Sequence, residues 1–122
     1  MLQSKATKIL LVEDDAAMKA VLRTLLEIEG YIVSINPDRF DQQALVDFIK
    51  QENPDVILMD VHLRDISGID ILRRVKDEDE LKNTRVIMTS GSDVRDLCFE
   101  AGAANFILKP FMPDELLSQI RG

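Results

Sequence analysis

The chain carries 122 residues, 46% of them hydrophobic and 30% charged. That is enough apolar material for one domain with a packed core, and it argues against disorder. Its 15 Lys+Arg against 22 Asp+Glu leave a net charge of −7, so it has no general electrostatic attraction for nucleic acid or for anionic membranes. The single cysteine excludes an intrachain disulfide and fits a reducing cytoplasm. The opening residues MLQSKAT show no signal-peptide core, and no apolar run is long enough to span a membrane. None of the five glycines falls in a dinucleotide-binding or P-loop pattern, and there is no Cys cluster for zinc or iron–sulfur.

In chain order, the first apolar run is Ile9-Leu10-Leu11-Val12. It is short, unbroken by polar residues and partly β-branched, which reads as a strand buried on both faces. Met18, Val21, Leu22, Leu25 and Leu26 then recur at helical spacing, with Gly30 as the stop. Tyr31-Ile32-Val33 gives the second strand, and residues 41–51 a helix between the turn dipeptides Asn36-Pro37 and Asn53-Pro54. Val56-Ile57-Leu58-Met59 is the third strand, and residues 69–76 are helical. The polar connector DEDELKNT, 77–84, reads as a solvated surface. Val86-Ile87-Met88 forms the fourth strand; Val94, Leu97, Cys98 and Ala101 repeat the helical spacing before Gly102. Phe106-Ile107-Leu108 is the fifth strand, and Leu116, Leu117 and Ile120 end the chain on a helical stripe. Strand alternating with helix in this way predicts a parallel sheet with helices on both faces.

The polar residues collect at the strand ends. The first strand runs into Glu13-Asp14-Asp15, the third into Asp60, the fourth into Thr89-Ser90 and the fifth into Lys109. In a parallel sheet these positions share the carboxyl edge, where open α/β sheets bind ligands. Two carboxylates about 4 Å apart repel by roughly 4 kcal/mol at an effective dielectric near 20, so such a cluster takes up protons or a cation. An all-oxygen set without His or Cys partners favours a hard dication, Mg²⁺ before Ca²⁺ where few protein oxygens are offered. A metal-neutralised carboxylate beside a hydroxyl and a lysine suits phosphoryl chemistry.

The segments ILLVEDD at 9–15, PDVILMD at 54–60, Gly68 eight residues after Asp60, VIMTSG at 86–91 and GAANFILKPF at 102–111 together resemble the receiver domain of two-component response regulators. The resemblance covers essentially the whole chain, with its pieces in family order. It implies a flavodoxin-like three-layer α/β/α sandwich with a five-stranded parallel sheet in the order 2-1-3-4-5. Residues 1–7 are then a tail, and 8–122 the receiver domain, either trimmed before an output domain or standing alone. Asp60 is implied as the phosphoacceptor, attacking a phosphohistidine to form an acyl phosphate. Asp14 is implied as a direct Mg²⁺ ligand (with Mn²⁺ as a substitute), Glu13 as a ligand directly or through water, and the backbone carbonyl of His62 as a further ligand. The His62 side chain is expected to be exposed over the site, and Asp15 to cap the first helix. Ser90 is implied to donate to a phosphoryl oxygen. Lys109 is implied to pair with Asp60 and then with the phosphoryl group, its bond to Pro110 being cis. Phe106 matches the aromatic switch position.

The implied partners are a sensor histidine kinase or phosphotransfer protein, and an output domain or downstream protein. No direct nucleic-acid or membrane binding is expected of this domain; dimerisation is compatible with it. The reading is of a signalling domain that assists its own modification, not of an enzyme with turnover. Alternatives are a degenerate receiver that only binds a partner, an FMN binder and an Asp-nucleophile phosphatase. Three acids after the first strand would repel the FMN phosphate, and His62 stands where the phosphatase pattern wants a second Asp. The sequence departs from the family pattern in two places. Arg64 replaces the usual proline, predicting a more mobile loop after Asp60, and only nineteen residues separate Ser90 from Lys109, a shortening that falls in the loop and start of the fourth helix.

Overall fold

The computed structural model describes residues 6–122; of the expected N-terminal tail, 1–5 lie outside the described residues. The elements in order are β1 (Lys8–Val12), α1 (Ala16–Ile28), β2 (Ile32–Ile35), α2 (Gln42–Glu52), β3 (Val56–Asp60), β4 (His62–Leu63), β5 (Ile66–Ser67), α3 (Gly68–Asp77), β6 (Arg85–Ser90), α4 (Arg95–Glu100), β7 (Asn105–Leu108) and α5 (Pro113–Arg121). The main sheet has five parallel strands in the order β2-β1-β3-β6-β7. With the two-residue strands β4 and β5 set aside, this is the expected 2-1-3-4-5 order.

Strand alternation divides the core into two layers. Leu10, Val12, Ile57, Met59, Val86 and Met88 face α2, α3 and α4, where Leu45, Ile49, Leu72, Val75 and Cys98 meet them. Ile9, Leu11, Val56, Leu58, Ile87 and Ile107 face α1 and α5, packing on Leu22, Leu26, Leu116, Leu117 and Ile120. Both faces of the central strands therefore leave water, which is why their sequences show no polar alternation. Truncating one of the buried Leu, Ile or Met chains to alanine costs about 2–5 kcal/mol.

Four expectations need correcting. The outer strands are not buried on both faces: β2 begins at Ile32, which is 52% exposed, and Leu108 of β7 is also exposed. Each is an edge strand with a neighbour on one side only, and the helices do not reach past it. The 77–84 connector is not simply solvated, because a 3-10 turn at Asp79–Leu81 drives Leu81 fully into the core and Thr84 is buried, donating its hydroxyl to the Pro54 carbonyl. Val21 and Leu97 sit in their predicted stripes yet are 63% and 50% exposed, since only the inner part of each stripe meets the sheet. The fourth difference is the segment after Asp60, read from sequence as a loop, which forms an antiparallel hairpin pairing His62 with Ser67 and Leu63 with Ile66.

The helix ends follow local chemistry. Asp15 caps α1 by accepting the Met18 amide at 2.8 Å, as expected, and Asp41 and Ser67 cap α2 and α3 in the same way. Gly30 closes α1 at φ 93, a conformation costly for a side-chain-bearing residue. The α4 helix is only six residues long. At the far end of the sheet, the Arg85 guanidinium donates to the carbonyls of Gln119 and Ile120, at 2.8 and 2.7 Å, and so satisfies the last turn of α5. No helix of the described residues is long and apolar enough to cross a membrane.

Candidate functional site

The order β2-β1-β3 places the ends of β1 and β3 side by side, with Val12 in register with Met59. The residues that follow are Glu13-Asp14 on one strand and Asp60 on the other. Asp60 is in register with Thr89 on β6, so Ser90 lies one residue further out on that strand. Lys109 directly follows β7 and donates its amide to the Ser90 carbonyl at 2.8 Å. The Lys109-Pro110 peptide is cis, as expected.

The centre of the arrangement is the Lys109 ammonium. Its Nζ lies 2.9 Å from Asp60 Oδ2 and 3.0 Å from Glu13 Oε1. The remaining oxygens of both acids are also engaged: Asp60 Oδ1 accepts the His62 amide at 2.9 Å, and Glu13 Oε2 accepts the Asp14 amide at 3.0 Å. The Glu13 side chain is 7% exposed and that of Asp60 13%. Burial pushes the Glu13 carboxyl up, more than the nearby ammonium draws it down. Burial alone would lower Lys109, but the hydrogen bonds it donates to Asp60 and Glu13 outweigh it and hold the ammonium above its ordinary value. Lys109 is therefore a fixed positive charge between two carboxylates.

Asp14 takes no part in the Lys109 pairing. It lines a separate cleft with Ala16, Lys19, Asn36, Phe40, Arg64 and neighbouring residues, and its carboxylate accepts the backbone amide of Arg64. Among the described residues, no three acidic, His or Cys side chains are gathered as a ready-made metal cage. The sequence places Glu13, Asp14 and Asp60 on one edge, but in the structure each carboxylate has its own hydrogen-bond partner. The His62 side chain is exposed, as expected.

Ser90 is fully buried, and its Oγ accepts the Ser92 amide at 3.1 Å. Phe106 is half-buried against the α2–α4 layer, with the Arg95 guanidinium 5.7 Å from its ring centroid. That guanidinium also pairs with Asp93 at 2.8 Å. Two contributors were not found in the sequence. Asn36, read there only as half of a turn dipeptide, is buried and accepts the Glu13 amide at 3.0 Å, fixing the acid's backbone. The peptide of Arg64 left no signal, because a backbone donor has no residue type. Gly68 does have a physical reason: a Cβ there would lie 2.2 Å from the Asp60 carbonyl oxygen and 3.0 Å from Val61 Cα. The start of α3 thus touches the backbone of the acid-bearing strand.

A part-buried acid–lysine–acid bridge at the switch point of a 2-1-3-4-5 sheet marks an open α/β domain with its polar groups gathered at the carboxyl edge, where such sheets bind ligands. The chain belongs to the response regulator receiver domain family, whose profile matches residues 9–121. It is 34% identical over 117 residues to the transcriptional regulatory protein TrcR of Mycobacterium tuberculosis, covering 94% of this chain and 44% of that protein. It is equally identical over 116 residues to the DNA-binding response regulator MtrA of the same species, covering 93% of this chain and 49% of MtrA. The chain thus spans about half the length of the curated relatives it matches. Among solved structures, a putative response regulator from Chloroflexus aurantiacus superposes with a TM-score of 0.85 at 29% identity, covering 96% of each chain. The receiver domain of a sensor histidine kinase from Pseudomonas aeruginosa, solved with a magnesium ion coordinated in its active-site cleft, superposes with a TM-score of 0.83 at 26% identity, again covering 96% of each.

Proposed function

We propose that this domain takes a phosphoryl group onto Asp60 from the phosphohistidine of a sensor kinase or phosphotransfer protein, and so changes a partner-binding surface. The observation that carries this reading is the Lys109 ammonium, held at 2.9 Å from Asp60 at the carboxyl edge of the sheet. An Asp60 oxygen attacks phosphorus, the phosphorus–nitrogen bond breaks, and the departing electron pair returns to the imidazole. Lys109 is placed to follow the charge, exchanging a carboxylate oxygen for a phosphoryl oxygen. The Ser90 hydroxyl, whose oxygen already accepts the Ser92 amide, has its proton left to donate to the same group.

The donor set fits magnesium. Asp14, Asp60 and the His62 backbone carbonyl offer only oxygen, and Mg²⁺ is normally held by one or two carboxylates, with water and phosphate oxygens completing the shell. When bound, the ion would neutralise charge on the phosphoryl oxygens; Mn²⁺ suits the same ligands. Glu13, tied to Lys109, would act on the ion through water. Phe106 is the proposed switch residue, moving into space that Ser90 vacates. Leu97, Phe99 and Leu108 expose apolar surface on α4 and β7, the face that an output domain, a downstream protein or a second copy would cover. The DNA binding named for the longer relatives belongs to their whole chains.

The test is incubation with Mg²⁺ and acetyl phosphate, followed by intact-mass measurement. The expected result is the gain of one phosphoryl group by the wild type, none by Asp60→Asn, and loss of the gain when Mg²⁺ is chelated. A gain that persists in Asp60→Asn sinks the assignment.

A further inference from the structure

Nearly every cation of this chain has a partner. Among the described residues, each lysine and arginine outside one cleft makes an ion pair or a side-chain hydrogen bond, from Lys8 with Glu52 to Arg121 with Glu29. Lys19, Arg39 and Arg64 have no such partner among the described residues, and all three line the same cleft of about 570 Å³. They reach it from three separate segments: α1, the loop before α2 and the turn of the β4–β5 hairpin. A shortage of acids is not the cause, since the chain has 22 Asp+Glu against 15 Lys+Arg.

Lys19 is placed against its local field. It is the fourth residue of α1 and half-buried, near the positive end of the helix dipole, where a cation is unfavourable. Arg39 and Arg64 are exposed. Asp14, Asp38 and Asp65 share the cleft, yet none of the ion pairs of the described residues joins them to these cations. The cleft therefore presents charges of both signs that are held apart, with the half-buried Phe40 as an apolar wall.

We propose that this cleft docks an acidic peptide segment of a partner protein, whose spaced carboxylates pair with Lys19, Arg39 and Arg64. Spacing matters because of Asp38 and Asp65. A chain charged at every unit sets some of its charges against these acids, and small polar residues between the carboxylates avoid that. A nucleic-acid strand, with a charge at every phosphate, is disfavoured for the same reason. The net charge of −7 keeps acidic chains off the rest of the surface, so binding is confined to this cleft. The inference does not depend on phosphorylation of Asp60.

The test is NMR titration of the 122-residue chain with short peptides of alternating Glu–Ser, Gln–Ser and Lys–Ser, and with a short oligothymidylate. The Glu–Ser peptide is expected to shift the backbone amides of Lys19, Arg39 and Arg64. It should bind Lys19→Gln/Arg39→Gln/Arg64→Gln about tenfold more weakly than wild type, the scale of three exposed ion pairs together. Arg39→Gln/Arg64→Gln alters only exposed side chains and should lose about fivefold. Asp38→Asn/Asp65→Asn should bind the peptide more tightly, and the φ of 64 at Asp65 suits Asn. Binding should fade at about 1 M salt, where the Debye length is about 3 Å. No shift, shifts confined to other surfaces, an affinity unmoved by the arginine variants, or equal binding of the Gln–Ser peptide would overturn the proposal. So would tighter binding of the Lys–Ser peptide, which makes the acids the recognition groups, or of the oligothymidylate, which makes the partner a nucleic acid.

Discussion

Replacing Lys109 by methionine keeps the apolar stem of the side chain and removes its charge. One nitrogen lies 2.9 Å from Asp60 Oδ2 and 3.0 Å from Glu13 Oε1, so those oxygens are at most about 6 Å apart and repel by roughly 3 kcal/mol at an effective dielectric near 20. Neither acid is exposed enough to relax fully into water, and stripping one partner from a buried ionic group typically costs about 3–5 kcal/mol. Lys109→Met is therefore expected to lose about 3 kcal/mol of unfolding free energy at neutral pH without metal. Mg²⁺ should narrow the gap, because the cation takes over the neutralising role. The Lys109 pKa is raised above 10.5 in the fold. Its contribution is thus fully present below that pH and lost as pH rises through the folded-state value, so the wild-type advantage should persist through neutral pH and fade only in strong alkali. Urea unfolding of both proteins, with and without Mg²⁺ and across this pH range, makes the measurement. A loss below about 0.5 kcal/mol, the level of an ordinary surface substitution, would refute the view that this lysine balances two desolvated acids.

Gly68→Ala places a methyl group 2.2 Å from the Asp60 carbonyl oxygen and should destabilise the domain by about 1–3 kcal/mol, as over-packing does, with chemical-shift changes at Asp60 and His62. Asp15→Ala loses the α1 cap and should cost about 1 kcal/mol in thermal or urea melts, leaving Mg²⁺ affinity within twofold of wild type, about 0.4 kcal/mol; a larger change in affinity would make Asp15 a ligand after all. Glu13 has a raised pKa, so the folded state binds its proton more readily than the unfolded chain does. Wild-type stability should therefore gain relative to Glu13→Gln as pH falls from the folded-state value toward 4.5, and parallel stability profiles for the two proteins would count against a buried Glu13.

The parts of the fold that could be read from sequence are those where burial on both faces leaves an unbroken apolar run. The β1, β3 and β6 strands are of this kind, and so are the inward stripes of α1 and α5. The strand-end acids and Lys109 could be placed on one edge because parallel topology puts every strand's carboxyl end there. Orientation was not legible. Nothing in the sequence separates Glu13, which pairs with Lys109, from Asp14, which does not; Asn36, which fixes the Glu13 backbone, gave no signal either. The hairpin itself is too short for a periodicity signal, with two residues in each strand and its turn made by Asp65 at positive φ. Leu81 was hidden for a related reason, since a lone leucine in a charged run looks like surface until a 3-10 turn points it inward.

Arg85 and Ser90 sit at opposite ends of β6, and Arg85 grips the carbonyls that close α5. The helix is thereby pinned at its C-terminal end, far from the acids, while its first turn stands a few residues past Lys109 with no comparable clamp. Any tilt of α5 would have its fulcrum at Arg85 and its widest sweep beside the acids. A rearrangement around Lys109 and Pro110 would then reach α5 as rotation of a lever, not as sliding of a whole layer.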